Sequence, residues 1–191
     1  MRLIAPGVAA LERWSARWPP LFHLYAWPYR RLVARELRLA GVVPGERLLH
    51  VGCGALPFTA VLAARLGGAR VIAVDRSAAA VAGAQAVVAH LGLAGEEPGR
   101  VRVFSADAAA DALPEVDVAL IALQACPRTP ILANIRRQRA PARILFRLPR
   151  PGLEGQYGAA PDGEKAAGSC RHGMPTFDRT ALYLHRPPET T

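Results

Sequence analysis

The stretch "RLLHVGCGALPFTAVLA", residues 47–63, decides the fold. Its first residues are apolar and favour a β-strand, the next turn carries Gly52 and Gly54, and a helix-forming run follows. A strand that passes through closely spaced glycines into a helix opens a nucleotide-binding α/β unit. Leu56 and Pro57 stand where a third glycine is expected, and Pro57 lacks a backbone N–H that a pyrophosphate would use. The turn therefore suits a nucleoside better than a pyrophosphate.

Downstream of this turn, strand-like and helix-like segments alternate. Near-continuous apolar runs predict strands at residues 47–52, 70–75, 100–107, 117–123 and 142–149, with a last strand at 180–187. Ser77 and Gly92 are suited to cap a helix between the second and third strands. Residues 151–179 are rich in Gly and Pro without periodicity, which predicts a long loop, either a lid or a loose return. We therefore predict an α/β, Rossmann-like, doubly wound fold with a mostly parallel sheet.

The N-terminal part of the chain has a different character. Six of the twelve aromatic side chains fall between Trp14 and Tyr29, and an amphipathic helix is predicted up to Gly41. We expect residues 1–41 to form a helical cap over the ligand end of a domain that spans residues 42–191. Two alternatives stay open: an extra packing layer, and an aromatic and basic anchor at a membrane surface, which we do not favour.

The composition narrows the function classes. The formal net charge is +9, but 23 of the 24 basic residues are Arg spread along the chain, so a nucleic-acid partner is not favoured. No apolar run approaches the roughly 20 residues of a membrane span. The three cysteines include no CxxC pair, which argues against a disulfide framework or a metal site. We expect a cytoplasmic protein with no metal; the oligomeric state stays open.

Two acids follow the strands next to the glycine turn. Asp75 ends the second predicted strand, 21 residues after Gly54, which is the spacing for a carboxylate that binds ribose hydroxyls. Such a carboxylate repels a 2′-phosphate, which speaks against NADP despite the neighbouring Arg76. Asp107 ends the third strand, where its side chain or the adjacent amide at Ala108 can meet an adenine edge. Together these features predict an adenosine pocket, with an NAD-binding domain or a non-catalytic relic as alternatives.

The series "HVGCG", "VIAVD" and "FSAD" resembles the class I S-adenosylmethionine-dependent methyltransferase fold over roughly residues 45–150. The resemblance implies that S-adenosylmethionine is the co-substrate. It also implies that the glycine turn, the two acids and their sequence neighbours bind this co-substrate. These residues are Gly52, Cys53, Gly54, Pro57, Asp75, Arg76, Asp107 and Ala108.

Two departures from the usual methyltransferase pattern are His50, where many members carry an acid, and "ALP" after the second glycine. Both departures resemble the sequence of nicotianamine synthase and its bacterial opine-metallophore relatives. The turn of that family reads G-x-G-x-L-P-x-T, and this chain matches the pattern from Gly52 to Thr59. Two further stretches, "YAWPYRRLVARE" and "LFRLPRPGLEGQYG", resemble motifs of that family, with correspondences at Tyr25, Tyr29, Leu32, Glu36, Arg147, Gly152 and Tyr157.

This resemblance implies aminocarboxypropyl transfer to the amine of a small-molecule acceptor; methyl transfer to a small molecule is the alternative. Glu36 is the candidate general base, and Tyr29 or Tyr25 would orient the acceptor. The alternative for Glu36 is an exposed acid paired with an arginine neighbour such as Arg35. Arg147 would hold a substrate carboxylate, or lie at the surface like many other arginines.

Two residues at the turn receive no catalytic role. We expect His50 to pack at the strand end rather than to contact the ligand. Cys53 supplies the small side chain needed between the glycines, with no second thiol or base that would make it a nucleophile.

Overall fold

The structure is a computed structural model that describes residues 19–137, 143–158 and 165–185. Its centre is a seven-stranded sheet whose strands are β1 (Arg47–Val51), β2 (Arg70–Asp75), β3 (Val101–Ser105), β4 (Val118–Ile121), β5 (Arg143–Pro149), β6 (Gly168–Arg171) and β7 (Phe177–Leu184). The helices are α1 (Pro19–Ala40), α2 (Phe58–Gly67), α3 (Ala78–His90), α4 (Arg128–Arg137) and the single turn α5 (Glu154–Tyr157).

The strand order is β3-β2-β1-β4-β5-β7-β6. Strands β1 to β5 are parallel to one another, whereas β7 is antiparallel to both β5 and β6. The chain leaves β1 towards β2 on one side and later returns to β4 on the other side. This change of direction opens a crevice at the carboxyl end of β1, where open α/β sheets bind their ligands.

Both faces of the sheet are covered. Every residue of β4 is buried, and the side chains of β1 alternate between two core clusters, with Leu48 in one and Leu49 in the other. This burial on both sides explains the near-continuous apolar strands that the sequence shows.

Helix α1 carries an apolar stripe formed by Leu32, Val33, Leu37 and Ala40, and the chain leaves the helix at Gly41 with φ +61°. The predicted amphipathic helix is therefore present, and its stripe belongs to the core. Residues 1–18 of the predicted cap lie outside the described residues. In the described part of the chain, no helix is long and apolar enough to span a bilayer.

One expectation about the fold was wrong. Residues 151–179, predicted as a long loop, contain α5 and the edge strand β6, and β7 begins at Phe177. The short strand β6 reads "GSCR", a small and polar sequence without the apolar alternation that identifies a strand. Its pairing with β7 makes it a strand, and such pairing is a tertiary contact that local patterning does not reveal.

Candidate functional site

The glycine turn lies directly after β1. The backbone N–H groups of Gly52 and Cys53 both donate to the carbonyl of Val74 on β2, at 2.9 and 3.1 Å. Gly52 has φ +79°, and a Cβ there would lie 3.1 Å from the Cβ of Ala125, so both the backbone conformation and the space require glycine. Gly54 has φ +65° but faces open space, because a Cβ there would meet no atom within 4 Å.

Asp75 braces this turn. Its Oδ2 accepts a hydrogen bond from Gly54 N at 2.9 Å, and its Oδ1 accepts one from Ser77 N at 3.0 Å. Ser77 in turn caps α3, as predicted, by accepting from Ala80 N. One carboxylate thus fixes the turn after β1 and the chain after β2. Both oxygens keep lone pairs for a ligand, since a carboxylate accepts about four hydrogen bonds.

A small cavity of about 70 Å³, here called the β2 cavity, adjoins this brace. Its lining includes Gly52, Asp75, Arg76, Asp107, Ala108 and Gln124. Asp107 is exposed, and its Oδ1 accepts from Ala109 N at 2.9 Å. The structure therefore brings the predicted strand-end acids together at one opening.

A second cavity of about 270 Å³, here called the β5 cavity, adjoins the first. Its lining includes Tyr29, His50, Gly54, Leu56, Arg147 and Phe177, and it shares Gly52 and Gln124 with the β2 cavity. Pro57 is buried beside it as the residue before α2, with φ −81°. Because they share Gly52 and Gln124, the two cavities lie side by side, and we call them the two compartments of one crevice.

A buried ion pair lies behind the β5 cavity. Arg147 donates from Nε and Nη2 to the two carboxylate oxygens of Glu36, each at 2.8 Å. Nη2 also donates to Oγ1 of Thr59 at 3.0 Å, and Oγ1 of Thr180 donates to Oε1 of Glu36 at 2.7 Å. Glu36 is 0% exposed and Arg147 is 4% exposed. This network joins α1, α2, β5 and β7 around a single carboxylate.

The ion pair bears on two predicted residues. The alternative of an exposed Glu36 paired with Arg35 is wrong, because Glu36 is buried and Arg35 instead donates to the carbonyl of Arg171 at 2.8 Å. The surface alternative for Arg147 is wrong as well, because Arg147 is buried. The Nε–Nη2 edge of its guanidinium already holds Glu36, so this edge is not free for a substrate carboxylate.

Of the two predicted tyrosines, the structure describes the side chain of Tyr29 alone. Tyr29 lines the β5 cavity and stacks on Phe58, with ring centroids 5.5 Å apart. Tyr25 belongs to α1, and its side chain lies outside the described part of the structure. Cys53 is buried, and burial together with the charge of Asp75 raises the pKa of its thiol to about 12, so the thiol is protonated at neutral pH.

The sequence did not predict that the His50 ring is buried without a hydrogen-bond partner. The imidazole lines the β5 cavity, is buried, and has no hydrogen-bond partner at either ring nitrogen. Burial, with a smaller contribution from the positive charge of Arg147, lowers its pKa to about 3. His50 is therefore neutral at physiological pH. The one signal in the sequence that could have singled out this position is that many methyltransferases carry an acid where this chain has His50.

Gln124 and Thr180 were also missed. Gln124 follows β4 and lines both cavities, and Thr180 contacts Glu36 across 144 residues of sequence. Neither belongs to a short motif. In the described residues no group of three or more His, Cys, Asp or Glu side chains is arranged to hold a metal ion.

The chain is similar to known proteins in sequence and in fold. Residues 48–142 match the family model described as "Methyltransferase domain". L-histidine 2-aminobutanoyltransferase of Yersinia pestis is 44% identical over 70 residues, which is 36% of this chain; the chain spans about a quarter (26%) of that curated relative.

Solved structures extend the similarity over most of the chain. MtNAS, a nicotianamine synthase, in complex with MTA and tNA has a TM-score of 0.72 and 25% identity, over 88% of this chain and 64% of that one. Magnesium protoporphyrin IX methyltransferase of Synechocystis with bound SAH has a TM-score of 0.62 and 15% identity, over 83% of this chain and 84% of that one. The predicted class I methyltransferase fold and its resemblance to the nicotianamine synthase branch are confirmed.

Proposed function

We propose that this chain, which has the class I methyltransferase fold, is an S-adenosylmethionine-dependent transferase that moves an aminocarboxypropyl group to the amine of a small molecule. The observation that carries the proposal is the two-compartment crevice, in which the β2 and β5 cavities meet at Gly52 and Gln124. A co-substrate with a nucleoside at one end and a reactive chain at the other fits such a crevice. The comparisons support the same class of reaction.

The β2 cavity suits the adenosine part. Gly54 faces open space, so a ligand can approach its backbone, and Asp75 keeps acceptor capacity for ribose hydroxyls. Asp107 and the amide at Ala108 are proposed to meet the adenine edge. Arg76, Cys53 and Pro57 complete the proposed binding set by shaping the rim and the turn.

The β5 cavity suits the methionine-derived chain and the acceptor. Tyr29 and Tyr25 are proposed to orient the acceptor, and Arg147 to attract its carboxylate by charge. The curated relative is named as acting on L-histidine, so an amino acid is the first acceptor that we propose.

In the proposed reaction an uncharged amine nitrogen attacks the carbon of the aminocarboxypropyl group that is attached to the sulfonium of S-adenosylmethionine. The C–S bond breaks, its electron pair stays on sulfur, and methylthioadenosine leaves. The nitrogen gives up one proton, and Glu36 remains the proposed proton acceptor, because Oε2 has only the bond to Arg147 among its described hydrogen bonds. Positioning and exclusion of water supply most of the acceleration, since the sulfonium is already an activated leaving group.

Methyl transfer is the second candidate, because the matching family model is that of a methyltransferase domain. Mass spectrometry separates the two reactions. The protein is incubated with S-adenosylmethionine and a panel of amines that begins with L-histidine, and heat-denatured protein is the control. Methylthioadenosine above the control supports the proposal, whereas S-adenosylhomocysteine establishes methyl transfer. Neither product with any acceptor overturns the enzymatic assignment.

The cellular setting belongs to the proposal as well. We propose a cytoplasmic location, in keeping with three free cysteines. Membrane attachment through the aromatic N-terminus is not favoured, and its vesicle-binding residues would fall largely outside the described part of the chain. The proposed partner is a small-molecule acceptor rather than nucleic acid.

A further inference from the structure

His50 lies on β1, an interior strand of the sheet, on the face that Arg147 of the ion pair shares. Its register partner on β4 is Leu120, whose partner on β5 is Leu145. Leu120 and Leu145 belong to the same core cluster, and side chains two residues apart on a strand share a face. Arg147 therefore projects on the same face as His50, and both residues line the β5 cavity.

The unpaired state of the His50 ring needs an explanation. A neutral imidazole has one N–H donor and one acceptor nitrogen, and both are buried here without a partner. A leucine of similar size would fill the position without stranding two polar groups. A polar ring without protein partners on a cavity wall is the arrangement expected of a group whose partner is a ligand.

The charges around the β5 cavity restrict that ligand. Arg147 is the cation in the lining, and in the described part of the chain no lining residue is an Asp or Glu. The nearby Glu36 is already engaged by Arg147. An ammonium group in this compartment would be desolvated beside a guanidinium with no carboxylate of its own. Among the described lining residues, none offers an unpaired carboxylate to a protonated acceptor amine.

We propose that His50 is a binding residue for the attacking amino group of the acceptor, and that it takes this group in its uncharged form by accepting an N–H hydrogen bond. This inference rests on the proposed function and names the form of the substrate that the site selects. An uncharged nitrogen keeps the lone pair with which it attacks carbon, so the bound form is also the reactive form. The proton is left in solvent before binding and needs no acceptor in the cavity at that stage.

The titratable groups that face His50 are few. Strand β5 contributes Arg147, α1 contributes Tyr29 and the paired Glu36, and the turn contributes the protonated Cys53. The register partners on β2 and β4, Ala73 and Leu120, are aliphatic. A pH dependence of acceptor binding should thus reflect the acceptor's own amine rather than an ionisation of this wall.

The test compares wild type with His50→Leu, His50→Gln and His50→Asp, using L-histidine or whichever panel amine the wild type converts. Steady-state kcat and KM for the amine are measured from pH 7 to 10, and the Kd of S-adenosylmethionine is measured by calorimetry. For wild type we expect kcat/KM to rise with pH towards the pKa of the amine. His50→Leu should raise the amine KM about 10-fold, equivalent to about 1.4 kcal/mol, while the Kd of S-adenosylmethionine stays within about twofold.

The two polar variants sharpen the result. His50→Gln keeps an acceptor oxygen and should recover part of the lost affinity for the amine. His50→Asp supplies a carboxylate that holds the ammonium form, so it should lower kcat at pH 7 and move the rise in rate to higher pH. Circular dichroism verifies folding, and His50→Gln carries the comparison if His50→Leu does not fold.

Three outcomes would overturn the inference. An unchanged amine KM in the folded His50→Leu or His50→Gln variants removes His50 from acceptor binding while leaving the transferase assignment intact. A weakened Kd for S-adenosylmethionine with an unchanged amine KM assigns His50 to the co-substrate instead. Conversion of no amine by wild type overturns the proposed function, and this inference with it.

Discussion

The two compartments of the crevice are built in opposite ways. In the β2 cavity Asp75 is half-buried and Asp107 is exposed. Both accept from backbone amides two residues later, and Asp75 also accepts from Gly54 in the turn after β1. In the β5 cavity the charges are buried, and Glu36 and Arg147 pair across 111 residues of sequence. The first compartment is assembled by turns and the second by tertiary packing. The difference agrees with the proposal that the β2 end binds the nucleoside and the β5 end holds the reacting groups.

The largest effect should come from breaking the buried pair on one side. Arg147→Met leaves the Glu36 carboxylate buried without its counterion, which should lower the free energy of unfolding by about 3–5 kcal/mol. Urea denaturation followed by circular dichroism measures the loss. The matched control is the double variant Glu36→Leu with Arg147→Met, which removes both charges and should recover much of the stability but no turnover. A stable Arg147→Met protein would contradict the structural role of the pair.

Glu36→Gln keeps the shape of the side chain and removes its charge. If Glu36 accepts the amine proton, kcat should fall by about 10²- to 10⁴-fold, the range for general base catalysis, with S-adenosylmethionine still bound. Single-turnover assays and calorimetry on the same preparation measure both quantities. Unchanged turnover with intact binding would remove Glu36 from the mechanism and leave it as the residue that positions Arg147.

Asp75→Asn tests the other compartment. Loss of the charged acceptor should weaken the binding of S-adenosylmethionine by about 10- to 100-fold, in line with the 1.5–3 kcal/mol of a charged hydrogen bond. The kcat at saturation should change little, because the groups that we propose to react lie in the β5 cavity. Asp117→Asn is the matched control, since Asp117 also accepts a backbone N–H, from Arg47 at 2.8 Å, but before β4 rather than after a strand. Equal losses in both variants would show a general effect on stability.

The smallest effect concerns acid stability. The pKa of His50 is lowered to about 3 in the folded protein. Between pH 3 and 6.5 the His50 ring is therefore protonated in the unfolded chain but neutral in the folded chain. Stability should therefore fall as pH drops below 6.5, by at most about 1.4 kcal/mol per pH unit from this residue. Urea denaturation of wild type and His50→Leu from pH 7.5 to 5 measures the slope. Parallel slopes for the two proteins would show that His50 does not control it.

The contrast between the compartments also explains what the sequence could predict. The turn and the strand-end acids follow from local rules: glycine spacing, strand length and the position of an acid after an apolar run, which held for Gly52, Asp75 and Asp107. Ser77 was predicted as a cap from the same kind of rule. These features depend on residues that are close together in the sequence, so a single sequence is enough to predict them.

The β5 compartment could not be predicted in this way. Glu36 and Arg147 were each proposed as site residues, with separate roles, and nothing in either stretch indicates that they pair. Thr180 joins them only because β7 inserts between β5 and β6, and β6 itself has no strand-like pattern. The bare imidazole of His50 likewise depends on what surrounds it from α1, β4 and β5. Such facts require the packed fold.

The insertion of β7 has a consequence for how the protein is made. Glu36 is synthesised 111 residues before Arg147 and 144 residues before Thr180, its partners in the buried network. Domains generally fold as units, so a nascent chain that ends before β5 leaves the Glu36 carboxylate on α1 without its counterion. The Glu36 carboxylate can be buried against its partners only after β5 and β7 have been synthesised. The β5 compartment is therefore completed last, and a nascent chain that stalls before β5 would lack the buried ion pair behind it.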